Sequence, residues 1–528
     1  MSVHRIPYSA TGRSSPLVLD QIAQDEFLDT FQLFPPSLDG LKQAAAKRSL
    51  PADHRSVLVK ALRRQYEGLD VSGAVAENID RLGQADTLTV TTGHQLCLFT
   101  GPLYVPFKLL NVIRLARTLT DELKRPVVPV FWMATEDHDR VEIDHAWMGG
   151  TKVEWPGKSG GAVGRLPLTD IGDVIAKLDP LLGAGMEGDG LRAEIRRCYR
   201  PELTLAEATR RFVHALFGRF GLVIVDGDDR ELKKLLVPVM REEVLNGITE
   251  RSVRYADDRL KERYPAQAHV RPVNLFHLRP GHRSRIEADG DHYQVLDGGP
   301  RFTADELLLD LELRPQDYSP NVLLRPVYQE VVLPNIAYIG GGGELAYWMQ
   351  LKWLFQAVQV PMPGLLLRTS AAFLSAKHDQ QRQDLGLGIE DLFRPAHELN
   401  NLAARRASTL DTDVVEEQQE LDAFFKALRE RASTIHPSLA ASTEAVAVRT
   451  QRMLTNLQGK MDRALRRREA IHLQRLQNIL GAIFPTGGLQ ERRDNILPML
   501  AAQGPALLDR LLEQLDPLDM RFTVLVEG

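Results

Sequence analysis

The sequence has few of the features that mark secreted, membrane-spanning or nucleic-acid-binding proteins. It contains two cysteines in 528 residues, too few for a disulfide framework and typical of a cytoplasmic chain. No apolar run approaches the roughly 20 residues that a membrane-spanning helix needs, and the N-terminus has no apolar signal segment. The formal net charge is −5, which argues against binding nucleic acid through bulk positive charge. We therefore expect a cytoplasmic protein with neither a membrane nor a nucleic acid as a partner.

Length and composition indicate an ordinary globular chain with two or three domains. Hydrophobic residues make up 44% of the sequence and charged residues 26%. Shifts in pattern along the chain predict an α/β core over residues 1–375 and a helical arm over 376–484. The remaining residues, 485–528, are expected to return to the core. Within the core, we expect residues 1–85 to be mostly helical and residues 230–320 to form irregular α/β structure.

Strand and helix patterns alternate in the core, which predicts a parallel sheet. Residues 87–95 and 127–133 are mostly apolar or β-branched runs typical of buried strands. Residues 106–123 between them have helical apolar spacing and begin with proline. A second unit is predicted from a helix over 205–219 and a strand over 221–229. The fold class that this order predicts is α/β, with a parallel sheet between helices.

The most informative cluster is Glu136, Asp137, His138 and Asp139, which directly follows the strand predicted at 127–133. Ligands of open parallel sheets bind beyond the carboxyl ends of the strands, so these side chains lie where a substrate is expected. An acid and histidine cluster can hold an ammonium group and accept its proton. These four residues are the candidate catalytic groups. The alternative is a solvated acidic loop that caps a helix.

A second candidate group ends the first predicted strand and consists of Thr92, Gly93, His94 and Gln95. Glycine allows a close approach of the backbone to a ligand. The polar side chains precede a helix N-terminus, where a carboxylate or a phosphate is favoured. The alternative is a structural turn with Cys97 packed in the core.

A third group lies in residues 319–348. Arg325 can bind a carboxylate or a phosphate through two parallel hydrogen bonds. An apolar run over 331–339 leads into four glycines and a predicted helix over 344–350, and free N–H groups at such a turn favour an anion. The spacing matches neither GxGxxG nor a P-loop, and surface or capping roles are the alternative. The substrate-binding candidates here are Asn321, Arg325, Gln329, Glu330, Gly341, Gly342, Glu344 and Tyr347.

These three groups are predicted to line one cleft, because all are expected to follow strands of one parallel sheet. In particular, we expect residues 136–139 to share a cleft with Gly93, Gln95, Asn321 and Arg325. A zinc ion held by Asp137, His138 and His145 is an alternative. The sequence has no cysteine–histidine zinc spacing, so no metal is predicted.

Residues 376–484 have few glycines, many charges and long helical periodicity. We predict a helix over 412–431, a break at His436-Pro437 and a second helix over 442–484. Together these helices would form an antiparallel coiled-coil arm whose apolar stripe, left exposed, favours a homodimer. The basic run at 463–468 is expected to be solvated. The predicted seam, with a phase shift at its middle, consists of Leu454, Leu457, Met461, Ala464, Leu473, Leu476, Leu480 and Ile483.

A second ligand site, for a nucleotide, is predicted where the arm returns to the core. The turn at 484–495 offers free backbone N–H groups, and Arg492 offers paired donors for a phosphate. Residues 367–369 leave the core just before the arm, so we expect both segments to lie together, apart from the first cleft. A capped hinge without a ligand is the alternative. The residues of this site are Leu367, Arg368, Thr369, Gly487, Gly488, Gln490, Glu491 and Arg492.

The chain resembles the bacillithiol biosynthesis cysteine-adding enzymes, the BshC cysteine ligases. The resemblance spans about residues 90–492 and implies a Rossmann-like core related to class I nucleotidyl transferases, a coiled-coil arm and homodimerisation. It also implies a ligase that joins L-cysteine to glucosaminyl malate in the last step of bacillithiol synthesis. The segments that carry the resemblance, in the family's order, are TTGHQLCLFTGPLY, PVFWMATEDHD, SPNVLLRPVYQE, LPNIAYIGGGGELAYW and FPTGGLQER.

The candidate residues fit amide formation, which needs a neutral amine and an activated carboxylate. Acid groups can take the proton of the amine, and ATP is the expected source of activation, although no nucleotide motif identifies it. Two other functions remain open. One is a nucleotidyl transferase that acts on another small metabolite, and the other is a non-catalytic coiled-coil dimeric scaffold. Polar residues at strand ends favour an enzyme, because a scaffold does not need them.

Overall fold

The computed structural model describes residues 1–71, 73–158, 160–265, 267–408 and 410–527. Its strands are β1 Ser2–Pro7, β2 Leu88–His94, β3 Val127–Met133, β4 His145–Met148, β5 Thr151–Glu154, β6 Val223–Asp226, β7 Leu275–Arg279, β8 His282–Asp289, β9 His292–Val295, β10 Arg301–Thr303, β11 Tyr318–Pro320, β12 Asn335–Gly340, β13 Gly364–Leu367, β14 Ala371–Leu374 and β15 Arg521–Val526.

The α-helices alternate with these strands in the core and fill the arm. They are α1 Tyr8–Thr11, α2 Pro16–Ile22, α3 Glu26–Asp29, α4 Leu38–Lys47, α5 Ala52–Gln65, α6 Gly73–Arg81, α7 Tyr104–Leu123, α8 Arg140–Ile143, α9 Ile171–Leu178, α10 Met186–Cys198, α11 Leu205–Phe217, α12 Arg230–Asn246, α13 Ile248–Leu260, α14 Ala304–Leu313, α15 Arg325–Val332, α16 Gly342–Trp348, α17 Lys352–Ala357, α18 Ala376–Asp384, α19 Ala396–Ala407, α20 Val415–Ile435, α21 Ser438–Arg468, α22 Ala470–Ile483, α23 Leu497–Gln503 and α24 Ala506–Gln514.

The core is built on a five-stranded sheet in the order β13-β12-β2-β3-β6, in which every neighbouring pair is parallel. Every residue of β3 is buried, as expected for a strand covered on both faces. Helix α7 connects β2 to β3 and buries most of its length against them. The predicted parallel α/β core is therefore confirmed, and both predicted strand–helix units belong to one sheet.

The apolar run over 331–339 spans two elements of the core. The apolar run 331–339 is not a single strand, because Val331 and Val332 end helix α15. Leu333 and Pro334 then turn the chain, and β12 begins at Asn335. The apolar character is shared by both elements because both are buried, so it does not show where one ends.

A second five-stranded sheet, in the order β10-β9-β8-β7-β11, is antiparallel throughout. It occupies the segment predicted to be irregular and places β7, β8 and β11 beside the edge of the parallel sheet. Asn321 and Arg325 follow β11, so they follow a strand of this sheet and not one of the parallel sheet. The expectation that all candidate residues follow strands of one sheet is therefore wrong.

A third sheet joins the two ends of the chain. Strand β15 pairs antiparallel with β1 and parallel with β14, so the C-terminal residues return to the core at the base of the arm. The sequence patterns missed β1, because its partner in the sheet lies more than 500 residues away along the chain.

The arm is an antiparallel helical hairpin of α20 and α21. Gln451 donates to Asp422 (2.7 Å), and Arg429 pairs with Glu444 (3.2 Å), so residues earlier in one helix face later residues in the other. Helix α21 ends at Arg468, and α22 begins at Ala470, with Glu469 between them. This interruption falls between Ala464 and Leu473, where the apolar spacing changes phase.

The buried face of α21 is shifted from the predicted seam. Leu465 is buried, whereas Leu457 is half exposed and Ala464 is exposed. Leu476 and Ile483 of α22 are buried within the chain, as predicted. The three–four spacing of apolar residues identified an apolar stripe on α21. The buried face lies one position away from that stripe, because α21 also buries polar residues such as Asp462, which binds Arg405 and Thr412. No helix among the described residues is long and apolar enough to cross a membrane.

Candidate active site

A cavity of about 740 Å³ lies at the carboxyl edge of the parallel sheet. The ends of β2, β3 and β12 form its floor, and the antiparallel sheet with the segment after β11 forms the opposite wall. The residues of this cavity used below are Gly93, His94, Gln95, Tyr104, Glu136, Asp137, Arg271, Arg283, Arg285, Asn321, Arg325, Gly341, Gly342, Gly343, Glu344, Tyr347, Arg368 and Arg492.

Asp137 is an ionised group on the cavity wall. It accepts hydrogen bonds from Gln95 Nε2 (2.8 Å) and from the backbone N–H of His138 (2.7 Å). Arg283 Nη1 lies 3.6 Å from its Oδ1. Burial raises the pKa of Asp137, but these hydrogen bonds and the charge of Arg283 outweigh burial and hold the pKa below its usual range. Asp137 is therefore suited to binding a cation and not to taking its proton.

Glu136 has the opposite character, although it lies one residue away. Burial raises the pKa of Glu136 to about 7, even though the Lys233 ammonium group, 2.8 Å away, lowers it. Glu136 is therefore the carboxylate of the pair that can take up and release a proton near neutral pH. Adjacent carboxylates with separated pKa values allow one to bind and the other to transfer protons.

The other two residues of this cluster do not form part of the cavity wall. His138 is exposed at the rim, where its Nδ1 accepts a hydrogen bond from Arg283 Nη1 (3.0 Å). Asp139 is exposed and precedes helix α8. The expectation that all four residues line the cleft is corrected to two, because the chain turns outward after Asp137. Their catalytic roles stay predictions.

Arg325 supplies a cation without a carboxylate partner in the described part of the chain. Its Nη1 donates to Gln329 Oε1 (3.2 Å), its Nη2 to Tyr347 Oη (3.5 Å), and its guanidinium lies over the ring of Tyr338. A half-buried cation without a counter-ion is costly, so this position favours an anionic ligand. A Cβ atom on Gly93 would lie 3.2 Å from Arg325 Nη1, which explains glycine there.

Three predicted substrate-binding residues lie behind the cavity and support it. Gln329 and Glu330 are buried, and Glu330 accepts from Gln329 Nε2 (2.8 Å) and Asn335 Nδ2 (3.0 Å). Arg48 faces Glu330 at 3.7 Å. Thr92 Oγ1 donates to Ile339 O (2.7 Å) and so joins β2 to β12. These residues position the groups in front of them and do not reach the cavity.

Glu344 is held inside the glycine-rich turn and is not free to bind a ligand. It accepts from the backbone N–H of Gly341 (2.8 Å) and from Tyr338 Oη (2.7 Å), and it pairs with Lys108 Nζ (2.6 Å). Lys108 is buried in α7 and also donates to Gly93 O (2.9 Å). This network joins the β2 and β12 ends, so it fixes the floor of the cavity.

His94 is neutral at physiological pH. Burial, with a smaller effect of the Lys108 charge, lowers its pKa to about 4. Its Nδ1 lies 3.1 Å from Gln95 O, which can only accept, so the proton is on Nδ1. Nε2 therefore accepts from Tyr104 Oη (3.1 Å). His94 is thereby a polar positioning group for Tyr104, whose oxygen lone pairs remain for a ligand.

The predicted nucleotide segments do lie together, but they are joined by protein–protein bonds. Arg368 Nη1 and Nη2 donate to the two oxygens of Glu491 (3.0 and 2.7 Å), and Glu491 also accepts from Ala371 N. Gln490 Oε1 accepts from Phe373 N (2.7 Å). Leu367 is buried, Thr369 N donates to Asn111, and Gly487 and Gly488 are exposed in the turn.

Arg368 and Arg492 line the main cavity, so the expected position of the nucleotide site, apart from the first cleft, is corrected. Arg492 is exposed and forms no ion pair with a described residue. It lines the same cavity as the glycine-rich turn Gly341–Gly343. Nucleotide binding itself stays a prediction.

The described residues contain no group of three or more histidine, cysteine, aspartate or glutamate side chains placed to hold a metal ion. His145, one of the proposed zinc ligands, instead contacts Asp144 (3.0 Å).

Several site residues were not identified from the sequence. Arg271, Arg283 and Arg285 reach the cavity from the antiparallel sheet and the segment before it, far from the motifs along the chain. Among the residues that were missed, only Lys108 could have been noticed in the sequence, because its charge interrupts the apolar face of the predicted helix over 106–123.

Together the fold and the cavity define a Rossmann-like α/β protein with a coiled-coil arm and a charged ligand cleft at the carboxyl edge of its sheet. Residues 1–369 match the family model "Bacillithiol biosynthesis BshC, N-terminal Rossmann-like domain", and residues 371–527 match the C-terminal coiled-coil domain of the same family. The chain belongs to the bacillithiol biosynthesis BshC family.

Relatives named "Putative cysteine ligase BshC" match most or all of the chain. The protein of Flavobacterium johnsoniae is 35% identical over 523 residues, covering 98% of this chain and 99% of its own. The protein of Christiangramia forsetii is 34% identical and covers 100% of both chains. The protein of Shouchella clausii is 28% identical over 89% of this chain and 90% of its own.

Proposed function

We propose that this protein is a carbon–nitrogen ligase that joins L-cysteine to glucosaminyl malate and so completes bacillithiol in the cytoplasm, where thiols stay reduced. Family membership supports the reaction. The observation that carries it in this chain is one cavity with an unpaired guanidinium, Arg325, and two carboxylates of different proton affinity, Glu136 and Asp137. Amide formation on an anionic amino sugar needs both kinds of group.

In the proposed reaction the amine of glucosaminyl malate enters as an ammonium group. Asp137 binds the positive charge, and Glu136 takes one proton, which leaves the nitrogen lone pair free to attack the activated carboxyl carbon of cysteine. The C–N bond forms as the bond from that carbon to the activating group breaks, and the nitrogen loses its second proton with the departing group. Arg325 binds a malate carboxylate through paired hydrogen bonds. ATP, when bound, would supply activation of the cysteine carboxylate. Arg492 and the backbone N–H groups of Gly342 and Gly343 are suited to hold its phosphates.

Thiol analysis of a deletion strain tests the function. Deletion is expected to remove bacillithiol and to leave glucosaminyl malate in excess, and the wild-type gene is expected to restore the thiol. Accumulation of a different metabolite with bacillithiol unchanged would instead support a transferase acting elsewhere.

Gly93→Ala is expected to raise the KM for glucosaminyl malate about 10-fold, the size of one charge-assisted hydrogen bond. The new methyl group would displace Arg325, since its Cβ would lie 3.2 Å from Arg325 Nη1. Steady-state kinetics measure the effect. Gly190→Ala is the control, because Gly190 lies outside the cavity and its Cβ would have no atom within 4 Å. Equal KM values for the two variants would contradict the role of Arg325.

We also propose that Arg492 contributes to nucleotide binding. Arg492→Ala is expected to weaken ATP or ADP binding by about 10- to 100-fold, because it removes a charged donor of about 1.5–3 kcal/mol. Calorimetric titration of the folded full chain measures it. The control is Arg493→Ala at the neighbouring position, whose guanidinium lies over Trp147 (4.3 Å from the ring centroid) and does not line the cavity. Unchanged affinity in Arg492→Ala, or no binding by wild type, would remove this proposal.

A homodimer through the arm is proposed because apolar side chains remain on its surface. Met453 is 72% exposed and Leu457 50%, whereas soluble monomers rarely leave such stripes uncovered. Light scattering at micromolar concentration is expected to give twice the chain mass, and the double variant Met453→Glu/Leu457→Glu is expected to give a monomer. Met186→Glu, on the 83% exposed side chain of α10, is the control. A monomeric wild type would contradict the dimer.

A further inference from the structure

Lys233 is a buried cation that none of the sequence motifs contains. It lies in the first turn of α12, where the helix dipole disfavours a positive charge. Its side chain is 1% exposed, and its Nζ lies 2.8 Å from Glu136 Oε1 and 2.7 Å from Asp228 Oδ1. A lysine buried against the dipole needs strong compensation, and these two carboxylates provide it.

The charges around Lys233 are divided unequally. Arg165 binds Asp228 with two hydrogen bonds, from Nε to Oδ2 (2.6 Å) and from Nη2 to Oδ1 (2.7 Å). Asp228 is therefore already compensated by a guanidinium. The charge of Lys233 acts on both carboxylates, but Glu136 has no such paired guanidinium contact and is the one of the two that lines the cavity.

We propose that Lys233 is a positioning residue that holds the Glu136 carboxylate at the cavity wall in the ionised form that accepts a proton from the substrate ammonium group. In this step one N–H bond breaks and one O–H bond forms on Glu136. The electron pair of the broken bond stays on nitrogen, so the amine becomes neutral and nucleophilic. The inference rests on the proposed function, because that function supplies the ammonium group.

Groups from several elements act on Glu136. Burial and the charge of Asp228 raise its pKa, whereas Lys233 and, more weakly, Arg283 lower it. Removing Lys233 removes the larger of the two charges that lower the pKa of Glu136. Burial and Asp228 would then keep the Glu136 carboxyl group protonated at neutral pH and unable to accept a proton. The charged and titratable groups that face Glu136 or adjoin it are Lys233, Asp228, Arg165, Arg283, Asp137, His138 and Tyr328.

The test is the pH profile of kcat/KM for amide formation by the full chain. In Lys233→Met, the acid limb is expected to move to higher pH by about 1 to 3 units, the effect of an adjacent opposite charge. Activity at pH 7 is expected to fall by about 10-fold or more and to recover at alkaline pH. The matched control is Lys234→Met at the next residue, whose exposed ammonium group pairs with Glu231 (2.8 Å). Its profile is expected to equal that of wild type.

The double variant Lys233→Met/Asp228→Asn separates charge from packing. Removing the second carboxylate is expected to move the acid limb back toward wild type, which a lost packing contact would not do. Lys233→Arg retains the charge and is expected to keep the acid limb nearer to wild type than Lys233→Met does. An acid limb that is the same in Lys233→Met and wild type, or a double variant that does not recover, would overturn the proposal.

Infrared titration gives a readout without turnover. The carboxyl band that disappears in Glu136→Gln identifies Glu136, and its titration midpoint is expected to rise in Lys233→Met. If wild type makes no amide but this midpoint rises, the proposed function fails while the control of Glu136 by Lys233 stands. An unchanged midpoint would refute that control whether or not the protein forms an amide.

Discussion

Replacing Glu136 with glutamine is expected to lower kcat for amide formation by about 10²- to 10⁴-fold, the usual contribution of a positioned proton acceptor. Glutamine keeps the size of the side chain but cannot take a proton. Glu136 is the cavity carboxylate whose pKa burial raises to about 7, whereas the pKa of Asp137 is held low. The loss is therefore expected in kcat, with a smaller change in KM.

Steady-state kinetics with purified protein measure this effect. Glu231→Gln is the control, since Glu231 is a half-exposed glutamate that pairs with the surface residues Lys234 and Arg230 and lies outside the cavity. Asp137→Asn provides the contrast and is expected to raise the KM for the amine substrate, because Asp137 binds charge. A Glu136→Gln enzyme within threefold of wild type in kcat would show that the proton leaves by another route.

The second large effect concerns stability where the arm meets the core. Arg368→Met is expected to lower the free energy of unfolding by about 3–5 kcal/mol, because it leaves the fully buried Glu491 without its counter-charge. The pair joins residues just after β13 to the short 3₁₀-helix Gln490–Arg492, so it links the start and the end of the arm. Denaturant titration followed by circular dichroism measures the change.

Two further variants give that experiment its comparison. Arg368→Met/Glu491→Met removes both charges and is expected to recover much of the loss, since no unpaired carboxylate remains. Arg63→Met breaks the exposed pair with Asp80 and is expected to cost about 1 kcal/mol or less. Equal destabilisation by Arg368→Met and Arg63→Met would show that the buried pair does not hold the arm to the core.

The elements that the sequence predicted are those whose signal is local. Strand β3 and helix α7 carry the periods of a buried strand and of a helix within their own residues, and both form close to the predicted bounds. Strand β1 depends on a partner at the other end of the chain, so no local period identifies it. The rotation of α21 depends on which neighbours Asp462 binds, which spacing alone does not specify.

The same distinction applies to the site. Glu136, Asp137 and Gln95 were predictable because strand ends of a parallel sheet converge at one edge. Arg283 and Lys233 were not, because they reach Glu136 and Asp137 from the antiparallel sheet and from α12. Gln329 and Glu330 lie next to the cavity, as predicted, but they do not line it. Sequence patterns do not distinguish a residue that lines a cavity from one that lies behind it.

The central claim is that this chain forms the amide bond between cysteine and glucosaminyl malate. Purified wild-type protein, incubated with L-cysteine, glucosaminyl malate labelled with ¹⁵N on its amine, ATP and Mg²⁺, tests it most directly when the products are followed by mass spectrometry. The account predicts a cysteinyl product that retains the ¹⁵N label in an amide, formed by wild type and strongly reduced in Glu136→Gln. Transfer of a nucleotidyl group to the sugar without a cysteine amide, or no labelled product under any condition that supports nucleotide binding, would contradict it.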